Sequence, residues 1–214
     1  GTAVAALGSD TAGSVRIPAS WTGTVGVKTT YGRWSLEGIA PLSPSLDTAG
    51  VLTRSAKDAA LAFASLDPLT GNAERFLAQC DAQNLSRFTL GVCEWMFEDN
   101  DPGIAEAVRS ALAELERAGA KLVTIDVPNL AEMHSLFRRG GIAGLEFAGF
   151  INQPHMRQWK EALDPIVRSR FAAIEAVPAT EYIARVMRIG EMAQEAKQVF
   201  EGVDAIVGPV SYTH

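Results

Sequence analysis

Residues 8–18 read GSDTAGSVRIP and place one hydroxyl group, that of Ser14, directly behind two small residues, Ala12 and Gly13. Small residues let the backbone turn sharply and let a substrate carbonyl approach main-chain N–H groups closely. Such N–H groups stabilise a developing oxyanion. A serine placed here can attack the carbon that these groups polarise, which is the geometry of acyl transfer. The alternative is a glycine-bearing loop that buries a serine without chemistry.

Further short motifs follow this stretch at close intervals. They read RIPA at 16–19, GTVGVK at 23–28, YGR at 31–33, GIAPL at 38–42 and SLD at 45–47. Together with residues 8–14 they resemble the core of the amidase signature family, over a block from about Ala3 to Asp67. In that family the serine of the first motif is the nucleophile. The resemblance therefore implies that Ser14 is the catalytic residue.

The resemblance also implies an oxyanion hole, built from the backbone N–H groups of Thr11, Ala12, Gly13 and Ser14. Ala12 stands where the family usually has the first of two glycines, and it adds only a methyl group. Asp10 and Arg16 flank the serine with opposite charges. We interpret them as a structural ion pair that braces the loop, and not as catalytic groups.

The base that this family uses is absent from the start of the chain. In the family a lysine takes the nucleophile's proton through a second serine, and both lie upstream. Only thirteen residues precede Ser14, and they contain no lysine and no Gly/Ser-rich loop. Lys28 belongs to a downstream motif and does not replace the missing lysine. Since the chain also begins with Gly1, we expect it to be a fragment of a longer enzyme and to be inactive alone.

Composition narrows the class of protein further. The 214 residues are 47% hydrophobic and carry a formal net charge of −6. That length suits one large domain or two small ones. The family resemblance implies a single amidase domain fragment over 1–214, with the signature core in 1–67 and a βαβ unit and variable helical pocket region in 68–214. The acidic balance and the absence of a Lys/Arg cluster argue against nucleic acid and anionic membranes as partners. We expect a cytoplasmic protein, with no membrane-spanning segment.

Cysteine and histidine usage argues against cofactor chemistry. Cys80 and Cys93 form neither a disulfide framework nor a metal-ligand spacing, and the histidines are scattered. We expect no metal and no organic cofactor. A Ser-His-Asp triad would need His134 or His155 to reach Ser14, but neither has a recognisable motif around it. The triad is the weaker hypothesis, and we predict a helix-surface position for His134.

Local patterns predict the elements of the first half of the chain. Residues 3–7 are typical of a buried strand that leads into the active-site loop, and residues 18–21 of a helical turn stopped by Gly23. Residues 31–47 are rich in Gly, Pro and Ser, which predicts extended segments and turns close to the active site. The sequence VLTR at 51–54 then leads into the next helix. A helix should begin at Ser55, capped through Asp58, and end at Asp67-Pro68. Its predicted apolar face comprises Ala59, Ala60, Phe63 and Leu66.

In the second half, residues 71–86 have no clear pattern. Predicted strands at 88–93 and 121–127 enclose a helix that starts near Asp101 and stops at Gly119, which makes a parallel βαβ unit. Residues 130–200 are mostly helical, and 203–209 resemble a strand near the family's C-terminus. The apolar face predicted for the helix between the two strands comprises Ile104, Val108, Ala111, Leu112 and Leu115. A long helix is predicted over 180–200, with an apolar face of Ile183, Val186, Met187, Gly190, Ala193 and Ala196. Candidate pocket residues, for which a core position is the alternative, are Phe147, Phe150, Met156 and Trp159.

These observations predict an α/β fold with a mixed β-sheet core covered by helices on both faces. The expected activity is hydrolysis of a small-molecule carboxamide C–N bond through an acyl-enzyme on Ser14, with release of ammonia or an amine. A homodimer stays open as the assembly. Two alternatives remain: the glutaminase (A) subunit of a tRNA-dependent amidotransferase, and a non-catalytic protein that retains the scaffold.

Overall fold

The computed structural model describes residues 3–101 and 103–209, except for the side chains of 170–173. Its strands are β1 (Ala5–Asp10), β2 (Val25–Lys28), β3 (Thr48–Thr53), β4 (Thr89–Val92), β5 (Lys121–Thr124) and β6 (Ala205–Val207). Its α-helices are α1 (Arg16–Thr22), α2 (Ala56–Leu66), α3 (Ala73–Asp81), α4 (Ile104–Arg117), α5 (Leu130–Arg138), α6 (Ala143–Ile151), α7 (Arg157–Glu161), α8 (Pro165–Glu175) and α9 (Ala179–Ala196). Short 3-10 helices cover Leu85–Arg87, Glu94–Phe97, Pro154–Met156 and Lys197–Glu201. The predicted α/β class is confirmed.

The first sheet is antiparallel, with strand order β1-β3-β2. Its central strand β3 carries Val51, which is fully buried. A Cβ at Gly50 would lie less than 3.0 Å from the Val27 carbonyl oxygen, so glycine allows β2 to pair this closely. The edge strand β1 runs directly into residues 11–15, the loop that carries Ser14. The predicted strand is therefore present, over Ala5–Asp10, but the expectation that residues 3–7 are buried is wrong, because β1 lies at the sheet edge and Leu7 is 71% exposed.

The second sheet is parallel, with strand order β5-β4-β6. Helix α4 connects β4 to β5, which confirms the predicted βαβ unit. Val92, Phe97 and Leu112 form its buried core, against which Val108 and Leu115 pack. Of the predicted α4 face, Ala111 is exposed because it points away from this core. The strands thus divide into two three-stranded sheets within the described residues.

Helix ends follow the local signals in the sequence. Gly23 ends α1 in the left-handed conformation with φ of 64°. Ser55 caps α2, since its Oγ accepts the Asp58 N–H at 3.1 Å. Both predictions are confirmed. On α2, however, Ala64 is buried and the predicted core residue Leu66 is 47% exposed.

Helix α3 occupies part of the segment that the sequence left without an element. Asn72 caps it by accepting the Arg75 N–H at 2.7 Å. None of its residues is fully buried, but Ala73, Phe76 and Leu77 form a short half-buried apolar stripe, and the Phe76 ring packs against Phe63 of α2 with centroids 5.7 Å apart. The cap and this stripe were the detectable signals.

Helix α9 packs through a face other than the predicted one. Ile183 is 54% and Met187 64% exposed, while Met192 is 3% exposed and Ile189 is half-buried. Arg188, on the edge of the packed face, pairs with Glu132 of α5 at 2.8 Å. The predicted face of this helix is therefore wrong, because the helix is turned so that Ile189 and Met192 face the protein.

Candidate active site

The candidate nucleophile lies in a tight loop, residues 11–15, between β1 and α1. Ser14 is exposed, whereas its neighbour Val15 is 1% exposed and anchors the loop in the core. Gly13 adopts φ of 117°, a conformation that L residues rarely adopt. The buried position of the serine that a generic loop would predict is not observed.

Asp10, at the end of β1, organises this loop. It is fully buried, and its carboxylate accepts Arg16 Nε and one terminal Arg16 nitrogen, each at 3.0 Å. It also accepts the backbone N–H groups of Gly13 at 2.7 Å, Val15 at 3.2 Å and Arg16 at 3.3 Å. Burial raises the pKa of Asp10, but these hydrogen bonds outweigh it and hold the pKa below its ordinary value. An ionised carboxylate therefore gathers the donors on both sides of Ser14.

The same contacts restrict the predicted oxyanion donors. The Gly13 N–H is directed to Asp10 and is not available to a substrate in this arrangement. Among the described residues, no acceptor lies within hydrogen-bond reach of the N–H groups of Thr11, Ala12 and Ser14. The structure therefore leaves three of the four predicted donors open.

A second carboxylate, that of Asp47, fixes the start of the loop. Thr11 Oγ1 donates to Asp47 Oδ1 at 2.5 Å, and Asp47 is 3% exposed. Asp47 Oδ2 accepts the N–H groups of Leu42 and Ser43, each at 2.9 Å. These contacts confirm that residues 31–47 pass close to the active-site loop.

Glu146 on α6 holds the same segment from its other side. Its Oε2 accepts the Ser43 hydroxyl at 2.7 Å and the Ser45 N–H at 3.0 Å, and its Oε1 accepts the Tyr182 hydroxyl at 3.0 Å. Burial raises the pKa of Glu146, but hydrogen bonds from Ser45, Ser43 and Tyr182 hold it below its ordinary value. Sequence reasoning missed this residue, because no local motif marks a contact across 103 positions.

A cavity of about 600 Å³ borders the loop at Thr11, Ala12 and Arg16. Ser14 itself is absent from the lining, although residues on both sides of it in the chain, Ala12 and Arg16, belong to it. The facing wall comes from the 3-10 helix Glu94–Phe97 and from α5. It has an apolar part formed by Trp95, Met96, Leu130, Met133 and Phe137, and a polar part formed by Glu98, Asp99, His134 and Arg138. This cavity is the candidate substrate pocket.

The predicted pocket residues lie elsewhere. Phe147, Phe150, Met156 and Trp159 are absent from the cavity lining. Phe147 and Phe150 pack against each other with ring centroids 6.2 Å apart, and Trp159 is 59% exposed. Long-range packing brings α5 to the loop instead.

Among the described residues, neither histidine is paired with Ser14, and Lys28 is engaged with its neighbour Thr29. His134 lines the cavity and packs edge-on against Trp95 at 5.5 Å, on the exposed surface of α5 as predicted. Within the described part of the chain, His134 makes no hydrogen bond to Ser14 or to a carboxylate, so these residues form no Ser-His-Asp triad. His155 lies exposed in Pro154–Met156. Lys28 donates to the Thr29 carbonyl at 2.7 Å, and burial together with the Arg16 charge lowers its pKa.

No cluster of three or more His, Cys, Asp or Glu side chains in the described chain could hold a metal ion. Cys80 is exposed, Cys93 is buried, and both are free thiols. None of the helices described is long and apolar enough to cross a bilayer.

Comparisons with known proteins give consistent matches. The family model described as Amidase matches residues 1–214. The chain is 44% identical to 2-amino-5-chloromuconic acid deaminase of Comamonas testosteroni, over 98% of this chain and 44% of the relative. It is 33% identical to the A subunit of glutamyl-tRNA(Gln) amidotransferase from Akkermansia muciniphila, over 98% of this chain and 51% of that protein.

Solved structures agree with these sequence matches. A crystal structure of an amidase matches with a TM-score of 0.79 and 28% identity, over 97% of this chain and 47% of the other. The native peptide amidase from Stenotrophomonas maltophilia matches with a TM-score of 0.74 and 25% identity, over 98% of this chain and 50% of the other. The chain thus spans about half the length of the relatives it matches.

Proposed function

The chain belongs to the amidase family, and from that premise we propose that its protein hydrolyses a carboxamide C–N bond through an acyl-enzyme on Ser14. The observation that carries the proposal is the loop itself. Ser14 is exposed, and the buried Asp10 holds its loop. Three N–H groups of that loop donate to no acceptor among the described residues, and the loop borders a cavity large enough for a small molecule.

In the proposed reaction, Ser14 Oγ attacks the amide carbonyl carbon. The N–H groups of Thr11, Ala12 and Ser14 stabilise the negative charge that develops on the carbonyl oxygen. Collapse of this intermediate breaks the C–N bond and leaves an ester on Ser14, and the leaving nitrogen takes up a proton. Water then cleaves the ester and returns the proton to Ser14. The proton relay is the second serine and the lysine that the family resemblance implies, and we expect both outside this chain.

We propose a small-molecule amide with a largely apolar acyl group as the substrate. Support comes from the cavity wall, where Trp95, Met96 and Phe137 supply aromatic and aliphatic surface. The 44% identical relative is named a deaminase, which favours ammonia as the released group. In this proposal residues 1–67 carry the nucleophile and residues 68–214 supply the facing wall.

A second candidate is the A subunit of a tRNA-dependent amidotransferase, favoured by the 33% identical relative of that name. Preference for glutamine, together with copurifying partner proteins, would select it. A non-catalytic scaffold is the third candidate, and failure of Ser14 to react with a fluorophosphonate would select that one. A cytoplasmic location and a homodimer belong to the proposal too, and fractionation and light scattering test them.

The direct test replaces Ser14 with alanine in the protein expressed from its complete reading frame. Ammonia release from amides should fall by about a thousandfold or more, since loss of a nucleophile removes the acyl-enzyme route. Ser20→Ala is the matched control, because Ser20 is exposed on the adjacent helix α1. Turnover that survives in Ser14→Ala would contradict the assignment.

A further inference from the structure

Residues 42–47, here called the support turn, are held by carboxylates on two opposite sides. Asp47 accepts two N–H groups from the start of the turn, those of Leu42 and Ser43. Glu146 accepts the Ser43 hydroxyl and the Ser45 N–H from the other side. The turn thus has little freedom to move while both carboxylates are in place.

Ser43 is the residue where the two sets of contacts meet. It is fully buried, its N–H donates to Asp47 and its hydroxyl donates to Glu146. Its carbonyl oxygen accepts the N–H groups of Leu46 at 2.9 Å and Asp47 at 2.7 Å. If Glu146 is lost, the Ser43 hydroxyl becomes a buried polar group without its partner, which the turn can relieve only by moving.

Movement of the support turn would reach the active-site loop through Asp47. The Thr11 hydroxyl has one hydrogen, and it donates that hydrogen to Asp47 Oδ1 at 2.5 Å. Thr11 also lines the cavity and carries one of the three open N–H donors. The Asp10 carbonyl, which shares a peptide group with this N–H, accepts the Thr48 hydroxyl at 2.7 Å. Since Thr48 directly follows Asp47, both contacts that hold Thr11 depend on where the support turn ends.

Tyr182 connects the same group to helix α9. Burial and the neighbouring Glu146 carboxylate raise the pKa of Tyr182, so its hydroxyl stays protonated and donates to Glu146 Oε1. This contact uses the oxygen that the support turn does not use. The two oxygens of Glu146 thus have separate tasks, and separate substitutions can test them.

We propose that Glu146 is a positioning residue for the oxyanion donors: it fixes the support turn, and through Asp47 it orients the Thr11 N–H toward the reacting carbonyl. The inference rests on the proposed function, because an oxyanion must form at this loop. Glu146 does not contact the substrate. Its effect belongs to the transition state, where the negative charge develops, and not to substrate binding.

The test is a set of variants of the full-length protein assayed on an amide substrate. Glu146→Ala should lower kcat about tenfold and leave KM within about twofold, a smaller loss than complete removal of an oxyanion donor. Glu146→Gln should recover kcat to within about threefold of wild type, because one amide oxygen can accept both contacts now made to Oε2. Tyr182→Phe should cost about threefold or less, since it leaves the support turn bonded.

Glu175→Gln is the matched control, because Glu175 lies on α8 and pairs with Lys160. It should keep wild-type kcat. A wild-type kcat in Glu146→Ala would overturn the inference. A loss of kcat in Glu146→Gln as large as that in Glu146→Ala would also overturn it. The same holds if Glu146→Ala raises KM without lowering kcat, or if its loss of kcat equals the unfolded fraction measured by circular dichroism. Ser14→Ala in the same series separates the two levels: retained turnover there overturns the proposed function and this inference together, whereas the outcomes above overturn only the role of Glu146.

Discussion

Replacing Asp10 with asparagine removes one charge and one acceptor at the residue that organises the nucleophile loop. An asparagine has a single acceptor oxygen, so its NH₂ must face one of the two groups of donors. If the NH₂ took the place of Oδ2, it would face three donors, namely Arg16 Nε and the N–H groups of Val15 and Arg16. If it took the place of Oδ1, it would face only two donors, the Gly13 N–H and one terminal nitrogen of Arg16, and this orientation is the less costly one.

The expected cost follows from these two lost partners. An unsatisfied buried N–H at Gly13 costs about 1–3 kcal/mol. The Arg16 side chain is 42% exposed, so water partly replaces its lost contact and this contribution is about 1 kcal/mol or less. Asp10→Asn should therefore lower the free energy of unfolding by about 2–3 kcal/mol at neutral pH.

The pH dependence supplies an internal check. Because the pKa of Asp10 is lowered in the folded protein, its ionised form contributes stability above the unfolded pKa of about 3.9. That contribution declines as the pH falls below this value and through the folded pKa. The difference between wild type and Asp10→Asn should therefore be full at pH 7 and should shrink as the pH falls below about 4.

Urea unfolding of the full-length protein, followed by circular dichroism at each pH, measures both quantities. Asp126→Asn is the control, since Asp126 is an exposed aspartate, and it should change stability by about 0.5 kcal/mol or less. Asp10→Asn within about 0.5 kcal/mol of wild type at pH 7 would refute the reasoning, and so would a difference that stays constant down to pH 3.

Two further substitutions test the sheet and the pocket. Gly50→Ala should lower the free energy of unfolding in urea by about 2 kcal/mol, because the new Cβ would clash with the Val27 carbonyl oxygen. The control Gly149→Ala has open space around its Cβ and should be neutral or stabilising. Equal effects of the two substitutions would contradict the close pairing of β2 and β3. Trp95→Ala should raise KM about tenfold for amides with apolar acyl groups, because it removes part of the cavity wall. Trp159 is exposed and lies outside the cavity, so Trp159→Ala should leave KM unchanged. A larger rise in KM for Trp159→Ala than for Trp95→Ala would locate the pocket elsewhere.

Local chemistry explains what the sequence could predict. Asp10 and Arg16 lie six positions apart, and Ser55 lies three before Asp58, so each pair meets through the conformation of a single turn. Gly23 ends α1 through its own backbone. Contacts of this range depend on few residues, and a pattern of residue types is enough to indicate them.

Long-range packing explains what the sequence could not predict. Glu146 meets Ser43 across 103 positions, and neither residue lies in a pattern that points to the other. Helix α9 buries Met192 and exposes Met187, and its Arg188 pairs with Glu132, 56 positions away, so its orientation is set by long-range contacts that its own periodicity does not show. The pocket wall has the same origin, since α5 rather than Phe147 or Trp159 reaches the loop.

The sequence also could not show which of the predicted oxyanion donors stay open. Four consecutive N–H groups near Ser14 look equivalent in the sequence, but the backbone directs that of Gly13 to Asp10. Which donors remain open depends on φ of 117° at Gly13, a value that residue type permits but does not dictate.

The most direct test of the central claim is to identify the residue that carries the covalent intermediate. The full-length protein, verified to release ammonia from an amide, is treated with a fluorophosphonate and digested, and the adduct is located by peptide mass spectrometry. We expect one adduct, on Ser14, with loss of activity in proportion to labelling. An active preparation whose Ser14 stays unmodified while another residue carries the adduct would contradict it.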